Sequence, residues 1–522
     1  MAEQIIKAEK LDVGIDSTNQ SDKVVWSTGR NVRFTPGYVS KTLGKTLSGT
    51  LPTASLTIRE MFTFMGYAGN IYTIICTDAK IYVANGDLST FTDITPAIAP
   101  TGGASDYWEF TIVAGLPILT NGKDMIWKWA STSSILTPLL NAPLAKHISC
   151  SMHRLVLSNI YSNGVWYSGD VVWSEMGNPE NFTIDTSKKS GKFTLSNYQD
   201  GKDIQHNIVA QAVNGSEVLF FTERNVWKTD FAQSIKQFVI IANDFEVLSP
   251  RSVTVKSGIV YAAEKRDIYA FTGNQKSALD VPIRTSLYTG INSNALNSAF
   301  SFSMQGTNEI WFCVSTGTNT NPDTAYIYNY ELNNWTILDC DFICHSTSYA
   351  PPYIAWINNS GAVVTWTNNS TTVLKWATSH YNTLAKDITG DTASHVLQMD
   401  SGFNSISMAL ASTAIYGVIE SGDMAFADRS KEKIIRQLFP EIASQTQTNS
   451  LMIQVGARDN LSMPIQWSPV ISFKIGQDNY ADLSSYTSYG GFIRIRFYTN
   501  IADSPWSLSS YSLIYNEGRK IR

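Results

Sequence analysis

Cys340-x3-Cys344-His345 is the one cluster in this sequence that sets metal-ligand residue types close together. A tetrahedral zinc site takes four ligands, normally as two close pairs. No second pair stands nearby, and His380 and His395 are the only partners to choose from downstream. The expectation is reduced strand cysteines packed as small apolar side chains, with no metal. His147 and His153 flank Cys150, types that could make a Cys/His nucleophile pair. The simpler expectation is strand and turn residues at a blade edge. A glycosidase needs two carboxylates across a cleft. Asp87, Asp93, Glu175, Glu223, Asp267 and Glu309 all fall near turn signals and read as solvated turn acids. No G-x-S-x-G, H-E-x-x-H or P-loop pattern is present, and neither is the sialidase-type S-x-D-x-G-x-x-W box. No catalytic, cofactor-binding or metal-ligating residue is assigned, no cofactor is expected, and the chain is not read as an enzyme.

The elements around these residues carry more information. Glu217–Asp230 reads as two β-rich runs, Val218–Phe221 and from Val226-Trp227, split by the polar turn Thr222–Asn225. The same grammar recurs around Ile81-Tyr82, Ile126-Trp127 and Ile268-Tyr269, and more loosely at Val172-Trp173 and Ile327-Tyr328. A β-branched residue followed by an aromatic opens the later strand of each hairpin. The β-branched residue falls at 81, 126, 172, 226, 268 and 327, giving intervals of 45, 46, 54, 42 and 59. A period of roughly 40–50 residues is the signature of blade repeats. An ordinary β-sandwich with many hairpins is the competing architecture, but sandwiches do not repeat one dyad so often. Six dyads imply about six blades, and Val25-Trp26 could add another. An aromatic at the same point of every repeat is blade packing before it is a platform for sugar or single-stranded nucleic acid.

The fold expected is all-β: a propeller of about 6–8 blades with a C-terminal β-sandwich-like domain. The divisions are an N-terminal arm or edge strand over 1–24, the propeller over 25–390 and the sandwich over 395–522. Residues 184–203 read as a polar excursion, 284–299 as holding a short helix, and Lys431–Ile442 as either a short helix or a charged edge strand, with Pro440 limiting both.

Charged residues make up only 16% of the 522 residues, and the net charge is −5. That gives no large basic field for gripping nucleic acid. Low charge with many Ser, Thr and Asn suits a β-rich chain that buries surface in an assembly. Residues 1–14 lack the apolar core of a signal peptide, and no run of 18 apolar residues implies a membrane span. Five cysteines in an odd, sparse set argue for folding in a reducing cytoplasm.

Residues 26–45, WSTGRNVRFTPGYVSKTLGK, follow the pattern W-x-x-x-R-N-V-R-F-x-x-G-x-x-x-K-x-x-G. This resembles the N-terminal signature of tail structural proteins of short-tailed bacteriophages. VVWSEMGNPENFT, VLFFTERNVWK, DIYAFTG, IWFCVSTGTNTNPDTAYIYNYELNNWT and the C-terminal YGGFIRIRFYT…PWSLSSYSLIYNEGRKIR agree with that family in order. Residues 184–203 and 340–400 match no part of the pattern. The family resembled is the tail nozzle, a propeller protein at the end of the short tail tube. The resemblance implies a virion protein, made in the host bacterial cytoplasm and assembled as a homo-oligomeric ring of six copies. Its implied partners are a portal adaptor or head-to-tail connector, and tail fibres or a plug or needle. Duplex DNA would pass through the lumen during genome ejection without sequence-specific binding. The alternative is a propeller-based receptor-binding or glycan-degrading tail protein.

Overall fold

The computed structural model describes residues 3–17, 26–66, 70–103, 106–130, 134–184, 190–199, 202–349, 356–357, 363–364, 375–376, 385–426, 430–443, 449–484 and 489–520. Seven four-stranded antiparallel sheets account for most of the chain among these residues. Blade one runs Ile58–Met65, Ile71–Thr77, Ile81–Asn85 and Phe91–Asp93. Blades two to six follow as the same meander over 109–138, 144–194, 208–243, 253–278 and 300–339. Blade seven is made differently. Its strands Cys344–Tyr349, Ala385–Gly390 and His395–Met399 are completed on the outside by Lys45–Thr50, from before blade one. The first strands of blades two to six lie side by side in order, and that of blade seven lies beside that of blade one. First strands therefore line the axis, and the fold is a seven-bladed propeller.

The dyad has a direct physical reading. Each one sits in or at the start of the third strand of its blade, Ile126 standing just before Trp127–Lys128. Neighbouring residues of a strand point to opposite faces, so one dyad serves two inter-blade interfaces at once. Ile81 packs between blades one and two, while Tyr82 packs between blades seven and one. Ile126, Val226, Ile268 and Ile327 likewise face the following blade, and Trp127, Trp227, Tyr269 and Tyr328 the preceding one. Blade three reverses this. Val172 packs toward blade two and Trp173 toward blade four, in a strand whose pairing with Arg154–Ser162 carries a register shift between Ser158 and Ile160. Trp227, 6% exposed, is blade packing, as expected.

The sandwich departs from the expected boundaries. One sheet joins Val32–Thr35 and Tyr38–Lys41 to the long strands Ser507–Lys520 and Lys431–Ile442, with Glu3–Ala8 paired to Ser507–Lys520. The other orders Trp26–Arg30, Gly417–Ser421, Phe492–Thr499 and Ser450–Arg458. Their shared core sets Trp26 and Phe34 against Leu438, Ile453, Phe497 and Tyr511. The propeller thus begins near residue 45, not 25, and includes His395–Met399, while residues 26–41 belong to the sandwich. Trp26 is no blade residue: its sandwich-core partners Phe497 and Tyr511 lie far downstream, where local grammar cannot see them. Two smaller expectations also change. Gly191–Thr194 is the outer strand of blade three, not an excursion. Lys431–Ile442 is a twelve-residue strand bonded on both sides, so neither a helix nor an edge. The expected short helix is present at Arg284–Gly290.

The seam between blades seven and one is tight at Gly390. A Cβ there would come within 2.6 Å of Ile58 Cγ2 and 2.8 Å of Cys344 Sγ. Gly390→Ala is expected to destabilise the protein by about 1–3 kcal/mol through overpacking, read as a lower midpoint in urea unfolding.

Candidate functional site: a bolted domain junction and a closed axis

The residues that carry the R-N-V-R-F run lie where the sandwich meets blade six. Arg30 pairs with Asp339 on the outer strand of that blade. Asn31 Nδ2 donates to Asp339 Oδ2 (2.6 Å) and to the Tyr416 carbonyl (2.9 Å), and Asn31 Oδ1 accepts from the Asp339 amide (2.8 Å). The Val32 carbonyl accepts from Thr336 Oγ1 at 2.5 Å, and the Asn31 amide donates to the Ile337 carbonyl at 2.9 Å. Arg33 enters the propeller. It sits 3.2 Å from Glu309 and 2.5 Å from Asp400, with its guanidinium over the Trp311 ring. Burial works against its charge, yet Glu309 and Asp400 outweigh it and hold its pKa above the ordinary arginine value. Phe34 closes the run by packing into the sandwich core. Alternation along one strand thus gives Arg33 to the propeller and Val32 and Phe34 to the sandwich.

The second construction is on the axis. Arg251 precedes the first strand of blade five, but its partners lie on other blades. Its Nη2 is 2.8 Å from Glu60 of blade one and donates to the Ile343 carbonyl at 2.9 Å. Its guanidinium also lies 4.8 Å from the Phe300 ring centroid and 5.6 Å from that of Tyr107. Tyr107 in turn donates to the Asn297 carbonyl. One arginine therefore ties blades one, five, six and seven at the inner strands of the ring. Burial pushes the Glu60 carboxyl up to about 7, against the lowering effect of Arg251, and burial pushes Tyr107 up to about 12.

The residues singled out for chemistry are mostly kept apart. Cys340 Sγ faces the Phe342 carbonyl, Cys344 Sγ the Ile58 carbonyl, and His345 pairs with Asp387 at 2.8 Å while stacking on Phe302. His395 pairs with Asp391 at 2.7 Å, and His380 lies outside the described residues. Among the described residues no group of three or more His, Cys, Asp or Glu side chains is arranged to hold a metal ion. His147 meets Glu109 at 2.7 Å rather than Cys150, and His153 occupies a turn with positive φ. Of the acids, Asp93 pairs with Lys80, Glu175 with Asn181, Glu223 with Asn207, and Asp267 with Tyr269 and Arg284. Glu309 is the exception: it is a buried bolt of the domain junction, not a solvated turn acid. Arg251, Glu60 and Glu109 escape sequence reasoning because each is a lone charge whose partner is set by ring closure.

Comparisons place few limits on this architecture. No family model matches the chain, and no curated protein matches it either. Among solved structures it is similar to the extracellular domain of a hybrid two-component system from B. thetaiotaomicron, with 11% identity and a TM-score of 0.33. That match covers 69% of this chain and 41% of the other, so this chain spans less than half of that neighbour. It is also similar to YCF48 bound to a D1 peptide, with 8% identity and a TM-score of 0.34, over 67% of this chain and 95% of that one. No helix among the described residues is long and apolar enough to cross a membrane.

Two outcomes follow from these geometries. Arg33→Met leaves Glu309 and Asp400 without their cation and is expected to cost about 3–5 kcal/mol, measured by urea unfolding. For Glu60 the folded carboxyl holds its proton to a higher pH than the unfolded one, whose reference value is 4.5. The folded state therefore binds more protons between about 4.5 and 7, and stability falls as pH rises through that window, by on the order of 3 kcal/mol at most. Thermal melts across pH 4.5–7.5 should show that decline, and Glu60→Gln should flatten it.

Proposed function

We propose that this chain is a non-enzymatic structural protein of the tail nozzle of a short-tailed bacteriophage, assembled as a ring at the end of the tail tube. The observation that carries the reading is the position of the resemblance. The Trp26–Lys45 run that resembles the nozzle signature is the segment that fastens sandwich to propeller and then supplies Lys45–Thr50 to close the ring. A signature placed at the joint of a two-domain body fits a part whose task is to keep its shape under load.

In this reading six copies enclose the channel, an adaptor below the portal holds one face, and fibres or a plug dock on the other. Duplex DNA crosses the lumen without being read. The lumen belongs to the assembly and not to the single propeller, whose inner strands Arg251 bridges from blade five to blades one and seven. Closed rings need a heterologous interface. Exposed Leu461, Met463, Val470, Tyr480 and Tyr489 of the sandwich offer apolar contact area for one.

Electron microscopy of the purified protein, and of virions containing it, tests the proposal. Closed rings with a channel wide enough for duplex DNA are expected. Isolated monomers that cleave polysaccharide would overturn it in favour of a glycan-degrading tail protein.

A further inference from the structure

One mouth of the propeller axis is a depression of about 350 Å³, within the range of small-ligand sites. Its lining comes from blades two, three and four and from the loops that precede the first strands of blades five and six. Tyr107 is part of that lining, and its hydrogen bond to the Asn297 carbonyl joins two sides of it. Arg251 lies against the Tyr107 ring behind this lining.

The polar groups of this mouth are arranged unequally. Glu109 spends both carboxylate oxygens, Oε1 on His147 Nδ1 (2.7 Å) and Oε2 on the Ile148 amide (2.8 Å). The carboxylate thereby fixes the imidazole, places the proton of the neutral ring on Nδ1, and leaves Nε2 as an acceptor. Asp106 Oδ2 accepts from the Gly103 amide (2.7 Å) and lies 3.3 Å from Lys123 Nζ, which leaves Oδ1. Asn159 is nearly inaccessible. Its Nδ2 donates to Asn207 Oδ1 (2.8 Å) and the Ile208 carbonyl (3.0 Å), and its Oδ1 has no partner. The Lys146 ammonium is drawn to the Trp166 ring at 5.0 Å. The acceptors a ligand can reach are His147 Nε2 and Asp106 Oδ1, since Asn159 Oδ1 is sealed from solvent. Asp106 and Glu109 disfavour an anion, while Lys123 and Lys146 beside them disfavour a cation.

We propose that this mouth binds a neutral, hydroxyl-rich ligand, a single saccharide unit, whose hydroxyl groups donate to His147 Nε2 and Asp106 Oδ1. This goes beyond the nozzle reading and does not depend on it. Rings can form without sugar binding, and sugar can bind without rings.

The test uses the full chain with glucose, galactose, mannose and N-acetylglucosamine as neutral probes and inorganic phosphate as the anionic one. Saturation-transfer NMR should detect at least one of the sugars, and titration calorimetry should give its affinity. His147→Gln and Asp106→Asn should each weaken that sugar about ten-fold or more, with the melting temperature little changed. If His147→Gln fails to fold, Asp106→Asn on the partly exposed rim decides alone. Three results would overturn the proposal: none of the sugars binds, the affinity survives in every folded variant, or phosphate displaces the sugar.

Discussion

Ring closure by Lys45–Thr50 is the constraint on which the rest depends. This strand bonds to His395–Met399, some 350 residues later. A single polypeptide leaves the sandwich, lays down the outer strand of the last blade, circles through the six others, and returns through the rest of that blade to the sandwich. Blade seven lacks an outer strand until both ends of the circuit meet. That pairing also brings Asp400, which follows His395–Met399, to Arg33. Contacts of such sequence separation carry a large loop-closure cost during folding, so the closing blade and the domain junction should be the last parts to become native.

The charges repeat this theme of internal fastening. Only 16% of the residues are charged, yet several of them are buried where bodies join. Arg33 lies between sandwich and propeller and Arg251 across the axis, while Asp423 is clasped by Arg458 and Arg494 within the sandwich. Paired buried charges contribute little net stability against apolar substitutes, but losing one partner is costly. Such groups therefore enforce register. They penalise misplaced blades more than they strengthen correct ones.

How much was legible in the sequence follows from the range of each signal. The dyad revealed the propeller because one strand's alternation is written in adjacent letters and repeated by every blade but the last. It misled at Val172-Trp173, where the long strands Arg154–Ser162 and Val165–Trp173 carry a register shift near Asn159 and the dyad sits at the wrong end. Blade seven carries no dyad in its third strand, His395–Met399, and its outer strand is borrowed from residues 45–50, so the repeat does not mark its limits. The domain boundary was misplaced for the same reason that Trp26 looked like a blade residue. Period counting reads neighbours in sequence, whereas the sandwich is assembled from the two ends of the chain. The charged residues of the axis and of its mouth gave no local signal at all. Glu60, Glu109 and Arg251 are ordinary single residues until seven blades bring their partners to them, and His147 stands out in the sequence only beside Cys150, which is not its partner.

The Arg251 bridge has a consequence for symmetry. A propeller with an open centre could itself serve as a pipe, and its blade number would then set the bore. Here a guanidinium and its partners cross between the inner strands, so the blades are tied to one another like spokes at a hub. Any conduit built from such bodies takes its diameter and rotational order from the faces between copies. The sevenfold order within each copy imposes nothing on it, and a channel of a different symmetry involves no mismatch at all.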